Sequence, residues 1–165
     1  MIGDAIRLVL GNVMPIALVV ALVGAAVTKG RAPSRAEHFL AWLLGAFGIQ
    51  SIWGGVFNAF VQDVAARSIG WAPSPFEFEI GWADMAIGVA ALVAAWRSLD
   101  FKAAVVLVIA VFSFGIVWGH IDQRFVHGDT APNNFGAMLI ATIIWAVLLV
   151  LLYRRAAGAR PQAAP

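Results

Sequence analysis

Five long apolar runs limit what this chain can fold into. They lie at about residues 8–27, 39–60, 78–96, 103–121 and 135–153. Each is long enough to cross the hydrocarbon core of a bilayer, which takes about 20 residues of helix. Lipid offers the backbone no hydrogen-bonding partner, so such runs cross as helices. The sequence therefore predicts an all-α, multi-pass membrane protein, one bundle of five transmembrane helices with the lipid bilayer as its surroundings.

The composition agrees with a membrane protein and excludes several other classes. Hydrophobic residues make up 62% of the 165 residues and charged residues 12%, whereas a soluble domain typically carries about 25% charged residues. The chain has no cysteine, which excludes disulfides, thiolate metal sites and iron–sulfur clusters. It contains no phosphate loop, nucleophile elbow, zinc-protease pair or dinucleotide fingerprint. We therefore expect no enzymatic activity from this chain by itself.

The basic residues between the apolar runs predict the orientation. With five crossings, one side of the membrane carries Arg7, Arg67 and Arg124. The other side carries eight basic residues, namely Lys29, Arg31, Arg35, Arg97, Lys102, Arg154, Arg155 and Arg160. The positive-inside rule assigns the richer side to the cytoplasm. We therefore predict a protein of the bacterial or archaeal cytoplasmic (inner) membrane, with its N-terminus outside, its C-terminus inside and no nucleic-acid partner. Residues 156–165, rich in Ala, Pro and Arg, are predicted to form a disordered cytoplasmic tail.

Most polar side chains of the apolar runs fall in the outer half of this threading. An ionisable group in a membrane helix is costly unless it faces other helices, and it marks a functional site by default. We therefore predict an outward-facing cluster that binds a small polar or proton-coupled ligand. Its candidate residues are Gln50, Asn58, Glu79, Asp84, His120 and Asp122.

Asp84 and His120 are the centre of this hypothesis. If the third and fourth helices form an antiparallel hairpin, the two side chains lie at similar depth, and a carboxylate beside an imidazole makes a proton-responsive pair. The alternative is structural, with polar residues that only fix helix packing and a His120 that caps its own helix.

Glycines on two of the runs predict close helix packing. Gly48, Gly54 and Gly55 would let another backbone approach the second helix, and Gly81 and Gly88 beside Asp84 would do the same on the third.

Local patterns at the helix ends predict caps. Ser74-Pro75-Phe76-Glu77 matches a capping box before the third helix. Asn133 and Asn134, which follow Pro132, are expected to cap the fifth.

A doubled pattern after the fourth run raises a metal alternative. His120-Ile121-Asp122 is followed by His127-Gly128-Asp129, and imidazole and carboxylate are suitable ligands for Zn²⁺, Mn²⁺ or Cu²⁺. No established metal motif has this spacing. We therefore expect no metal or other cofactor, and keep His120, Asp122, His127 and Asp129 as candidate ligands of an alternative metal site.

The segments GWAPSPFEFEIGWADMAIGVAAL and GIVWGHID resemble a family of small, uncharacterised bacterial and archaeal multi-pass membrane proteins. This resemblance spans about residues 47–153 and implies the same topology without an assigned activity. A second likeness, to DoxX-like membrane proteins, rests on Glu79, Gly81 and Gly88. Some DoxX relatives accompany quinone-linked oxidoreductases, so this likeness implies an accessory membrane subunit of a redox complex. A purely structural subunit, in a homo-oligomer or a larger membrane complex, is the third alternative.

Overall fold

The computed structural model describes residues 11–160, which are all-α as predicted. In chain order the helices are α1 (Val13–Val27), α2 (Arg35–Phe60), α3 (Gln62–Ser68), α4 (Phe76–Ala94), α5 (Leu99–Phe125) and α6 (Ala137–Gly158). The short helix α3 was not predicted. The start of the first predicted helix and the last residues of the predicted tail lie outside the described residues.

Three of these helices, α2, α5 and α6, are long and apolar enough to cross a membrane. For α1 and α4, length and composition are weaker evidence of a membrane crossing. The described part of α1 has 15 residues, and α4 has 19 residues but carries Glu77, Glu79 and Asp84. The three long helices indicate a membrane protein.

Helices α2 and α5 are longer than predicted because side chains cap their first turns. α2 begins at Arg35 rather than residue 39, and the Ser34 hydroxyl accepts a hydrogen bond from the Glu37 backbone amide at 3.1 Å. α5 begins at Leu99 rather than residue 103, and the Ser98 hydroxyl accepts one from the Phe101 amide at 3.3 Å. Such caps satisfy amides that a helix leaves without partners. The charged residues of these turns therefore belong to the helices rather than to loops.

Helix α6 differs from its prediction at both ends. It runs from Ala137 to Gly158, so residues 156–158 are helical and the predicted start of the tail is wrong. Its N-cap is Gly136, without a side-chain hydrogen bond. The predicted asparagine cap is therefore also wrong, and Asn134 is instead fully buried.

Helix α2 lies at the centre of the bundle and packs against α1, α4 and α6. Its side chains Leu40, Leu43 and Leu44 are fully buried, as is Trp145 of α6. The Trp145 indole N–H donates to the Leu43 carbonyl at 3.2 Å, and its ring meets that of Phe47 edge-on with centroids 5.6 Å apart. This apolar core fixes α6 against α2.

The closest helix contact joins α2 to α4 through glycines. A Cβ on Gly48 would lie 2.6 Å from the Gly88 carbonyl oxygen, and one on Gly55 would lie 2.5 Å from that of Gly81. Only glycine lets two backbones approach this closely. The predicted close approach is confirmed for these four glycines and is wrong for Gly54, where a Cβ would meet nothing within 4 Å.

Candidate functional site

The bundle has two ends, and we name them by their charge. At the basic end α1, α4 and α6 finish while α2 and α5 begin. At the opposite end α2 and α5 finish while α4 and α6 begin. Apart from the Trp145–Leu43 hydrogen bond in the core, most described polar contacts between helices lie at these two ends, and one further contact lies on the glycine-packed face of α4.

Asp84 makes that further contact. Asn58 of α2 donates its side-chain N–H to Oδ2 of Asp84 at 3.2 Å, and the Ser51 hydroxyl donates to the Asp84 backbone carbonyl at 2.9 Å. The second carboxylate oxygen, Oδ1, accepts no hydrogen bond from any residue between 11 and 160. A half-buried carboxylate with one open oxygen can accept a proton or a hydrogen bond from a small ligand.

His120 lies elsewhere, so the predicted pairing of Asp84 with His120 is wrong. Its Nδ1 lies 2.6 Å from Oδ1 of Asn134, and its ring packs on Trp71 with centroids 5.5 Å apart. Together these contacts tie the end of α5 to the loops before α4 and α6.

The register of α4 and α5 explains the separation. Asp84 lies ten residues before the last residue of α4, and His120 lies twenty-one residues after the first residue of α5. The two helices are joined by a short turn and run antiparallel. At about 1.5 Å per residue, His120 is therefore roughly 16 Å farther from that turn than Asp84.

The other predicted residues do not join Asp84 either. Glu79 is exposed and Gln50 is half-buried, and neither side chain has a hydrogen-bond partner in the described part of the chain. Asp122 pairs with His127 at 3.3 Å, and both side chains are largely exposed. Of the six predicted residues, the structure brings only Asp84 and Asn58 into contact through a described hydrogen bond.

The capping and metal hypotheses have different outcomes. The Ser74 backbone amide donates to Oε1 of Glu77 at 3.3 Å, as the capping box predicts, although the Ser74 side chain makes no cap bond. Asp129 accepts a hydrogen bond from the Ala131 amide at 2.8 Å, and no described hydrogen bond or ion pair joins its side chain to Asp122 or His127. Within residues 11–160, no three His, Asp or Glu side chains come together as a metal site.

A buried ion pair at the basic end was not predicted. Lys102 Nζ lies 3.0 Å from Oε1 of Glu37, and each residue is only 4% exposed. Lys102 also donates to the Arg97 carbonyl at 2.7 Å, and Arg160 lies 3.5 Å from Oε2 of Glu37. We call these contacts the basic-end joint. It connects the first turn of α2 to the first turn of α5 and to the chain after α6.

One signal for Glu37 is present in the sequence, since Ser34-Arg35-Ala36-Glu37 is itself a capping box. No spacing rule pairs residues 37 and 102, because they lie on different helices.

Comparison with known families adds one identification. The family of unknown function DUF6790 matches residues 11–162, which is most of the chain. The chain belongs to the DUF6790 family. No curated protein and no solved structure matches it. Membership of DUF6790 agrees with the resemblance to an uncharacterised family, while the DoxX likeness and the bacterial or archaeal source stay predictions.

In this DUF6790 protein the buried Glu37 and the half-buried Asp84 have opposite surroundings. Glu37 has a cation on each oxygen, so its charge is balanced and its contacts are structural. Asp84 has one neutral amide donor and no cationic partner among the described residues. The Asp84 carboxylate is therefore held by a neutral donor alone.

Proposed function

We propose that this protein crosses the cytoplasmic membrane five times, through α1, α2, α4, α5 and α6. Three of these helices have the length and composition of membrane spans. The 19 residues of α4 and the apolar run that ends in α1 are close to the roughly 20 residues that a crossing takes. The excess of Lys and Arg at the basic end supports a cytoplasmic location for that end.

Cysteine labelling tests this topology directly, because the chain contains no cysteine of its own. Exposed serines lie at both ends, Ser98 in the turn between α4 and α5 and Ser68 at the end of α3. We expect a membrane-impermeant maleimide added to intact cells to label Ser68→Cys and to spare Ser98→Cys until the cells are opened. Labelling of both variants from the same side would refute the crossing by α4.

Within this topology we propose that Asp84 is the ionisable group of a site for a small polar ligand, bound together with a proton or a small cation. The observation that carries this proposal is the carboxylate without a cationic partner, held only by Asn58 at 3.2 Å. Intramembrane carboxylates are costly, and those that persist commonly belong to ion or proton pathways. This role needs no catalytic group on the chain.

A packing role for Asp84 is the competing explanation, and the glycine contact favours it. The hydrogen bond from Asn58 crosses the same interface at which Gly55 meets Gly81. Interhelical hydrogen bonds of this kind contribute about 0.6 to 2 kcal/mol. In that case Asp84 would stabilise α2 against α4 and bind nothing.

A carbodiimide experiment tests the ionisable group. Dicyclohexylcarbodiimide is an apolar reagent that modifies protonated carboxyl groups, and peptide mass spectrometry locates the product. In protein embedded in lipid nanodiscs we expect modification at Asp84 and none at Glu37, because Lys102 and Arg160 contact the two carboxylate oxygens of Glu37. Labelling should disappear in Asp84→Asn and persist in Glu79→Gln, a matched change of an exposed carboxylate on the same helix. An unmodified Asp84 from mildly acidic to mildly alkaline pH would contradict the proposal.

Thermal unfolding then separates ligand binding from packing. The probes are sodium, potassium and methylammonium ions, each at mildly acidic and mildly alkaline pH. A ligand site predicts a probe-dependent rise of Tm in the wild type and in Glu79→Gln that is absent in Asp84→Asn. A lower Tm for Asp84→Asn, without a probe-dependent shift in any variant, would support packing instead.

A further inference from the structure

An open apolar crevice lies between α4 and α5. These two helices contact each other less extensively than α2 contacts α4, and small side chains leave the space between them unfilled. The crevice has a volume of about 300 Å³, at the lower end of the range for small-molecule sites. It is lined by Ala86, Ile87, Ala90, Ala104, Val105 and Val108.

An exposed cation and an exposed anion lie at the basic end, next to this crevice. Arg97 lies in the turn that joins α4 to α5, and Asp100 lies in the first turn of α5. Both residues are exposed. Neither side chain forms a hydrogen bond or an ion pair within residues 11–160. Trp96 stands beside them with 78% of its surface exposed, a position typical of a tryptophan at the level of lipid headgroups.

Residue spacing places these charges in line with the crevice. Asp100 lies one turn before Ala104 on the same side of α5. On α4, Ala90 lies one turn after Ala86, and Arg97 follows Ala90 after two further turns. Helix α4 ends at Ala94; the backbone amides of residues 96 and 97 bond three residues back, to the carbonyls of residues 93 and 94, so a 3₁₀-type turn carries the chain on to Arg97. The apolar crevice therefore leads to one positive and one negative side chain.

Lys102 and Arg160 are further cations near this turn, but both already contact Glu37, and Lys102 also donates to the Arg97 carbonyl. The exposed charges at the turn thus include one cation and one anion. A zwitterion with an apolar chain matches this arrangement better than an anion does.

We propose that the crevice holds an acyl chain of one phospholipid with a primary ammonium headgroup, such as phosphatidylethanolamine. Its phosphate lies at Arg97 and its ammonium group at Asp100. Both contacts are charge-assisted hydrogen bonds, which are stronger than hydrogen bonds between neutral groups. Phosphatidylglycerol offers no cation to Asp100, and the trimethylammonium group of phosphatidylcholine has no N–H to donate. The inference rests on the membrane crossing by α4 and α5 and is independent of Asp84.

Native mass spectrometry of delipidated protein tests this lipid site. The protein is titrated in mild detergent with phosphatidylethanolamine, phosphatidylglycerol or phosphatidylcholine of identical acyl chains. We expect the first bound phosphatidylethanolamine to be retained about tenfold more tightly than either other lipid, the ratio expected for one charge-assisted hydrogen bond. Asp100→Asn should remove this preference, whereas Glu79→Gln should keep it.

A second pair of variants tests the crevice itself. Ala86 and Ala104 are both exposed, so Ala86→Leu with Ala104→Leu fills the crevice without entering the core. We expect this double variant to lose the tightly bound lipid. Ala157→Leu, an equivalent change at an exposed alanine near the end of α6, should retain it.

Two results would overturn the inference. One is equal retention of the three lipids by the wild type, which indicates a general lipid annulus. The other is unchanged retention by the filled variant when its helix content and elution volume are normal. Lipid retention should not respond to Asp84→Asn, so failure of this inference is distinguishable from failure of the Asp84 site.

Discussion

Replacing Lys102 by methionine should destabilise the protein more than a change at an exposed lysine or arginine. Lys102 and Glu37 are each 4% exposed, and their charged atoms lie 3.0 Å apart. Removing one partner of a buried ion pair leaves the other charge uncompensated and typically costs about 3–5 kcal/mol. Here Arg160 remains 3.5 Å from Glu37, and its side chain is 42% exposed. Because this contact compensates part of the lost charge, we expect the lower end, about 3 kcal/mol.

The double variant with Glu37→Gln distinguishes a charge effect from a packing effect. With both charges removed, no buried ion is left without a partner, so the double variant should lie within about 1 kcal/mol of the wild type. A double-mutant cycle should then give a coupling energy of about 3 kcal/mol or more. Reversible unfolding in mixed micelles, followed by fluorescence of the seven tryptophans, supplies the four free energies of unfolding. Arg31→Gln, at an exposed residue of the same end, serves as the control.

Two outcomes would refute this reasoning. The first is a cost of less than about 1 kcal/mol for Lys102→Met. The pair would then contribute no more than an exposed ion pair does, contrary to the expectation from its burial. If the double variant is as unstable as the sum of the two single variants, the side chains contribute independently and the coupling is absent.

Two further perturbations follow from the helix contacts. Gly55→Ala should lower the free energy of unfolding by about 1–3 kcal/mol because its Cβ would lie 2.5 Å from the Gly81 carbonyl oxygen. Gly54→Ala, where a Cβ meets nothing within 4 Å, should raise it by up to about 1 kcal/mol through helix propensity; equal effects in the same unfolding assay would contradict the glycine contact. His120→Ala should cost about 1–3 kcal/mol because Oδ1 of Asn134, a residue with 0% exposure, loses its imidazole partner. If purified wild type instead carries a quinone or a metal that His120→Ala lacks, the redox-accessory alternative replaces this structural explanation.

Hydrophobicity alone located the ends of α2, α4, α5 and α6 to within five residues. It could do so because the length of an apolar run can be read from the local sequence. The largest errors fall where charged residues lie in the first or last turns of a helix. Glu37 and Lys102 were assigned outside the apolar runs, yet both lie in capped first turns. An apolar window cannot detect that a charge is buried when its partner comes from another helix.

The candidate site shows a similar limit. The position of Asp84 beside Gly81 and Gly88 could be inferred from helical spacing, and the structure places it at the glycine contact. Its partner could not be inferred in the same way. The sequence left open which helix faces α4, and the structure places α2 there, so Asn58 rather than His120 reaches the carboxylate. The register of α4 and α5 depends on where each helix ends, which hydrophobic runs locate only to within a few residues.

A comparison of Glu37 with Asp84 allows a structural role to be separated from a functional one by experiment. A carboxylate with cations on both oxygens, like Glu37, stabilises the fold, so removing its partner should appear in the free energy of unfolding. A carboxylate held by a single neutral amide, like Asp84, gains little from its surroundings, so Asp84→Asn should leave stability nearly unchanged. A carboxylate that contributes little to stability and is costly to place in a membrane helix marks a candidate functional group. A large loss of stability in Lys102→Met together with a small one in Asp84→Asn would therefore make binding or proton exchange the remaining explanation for Asp84.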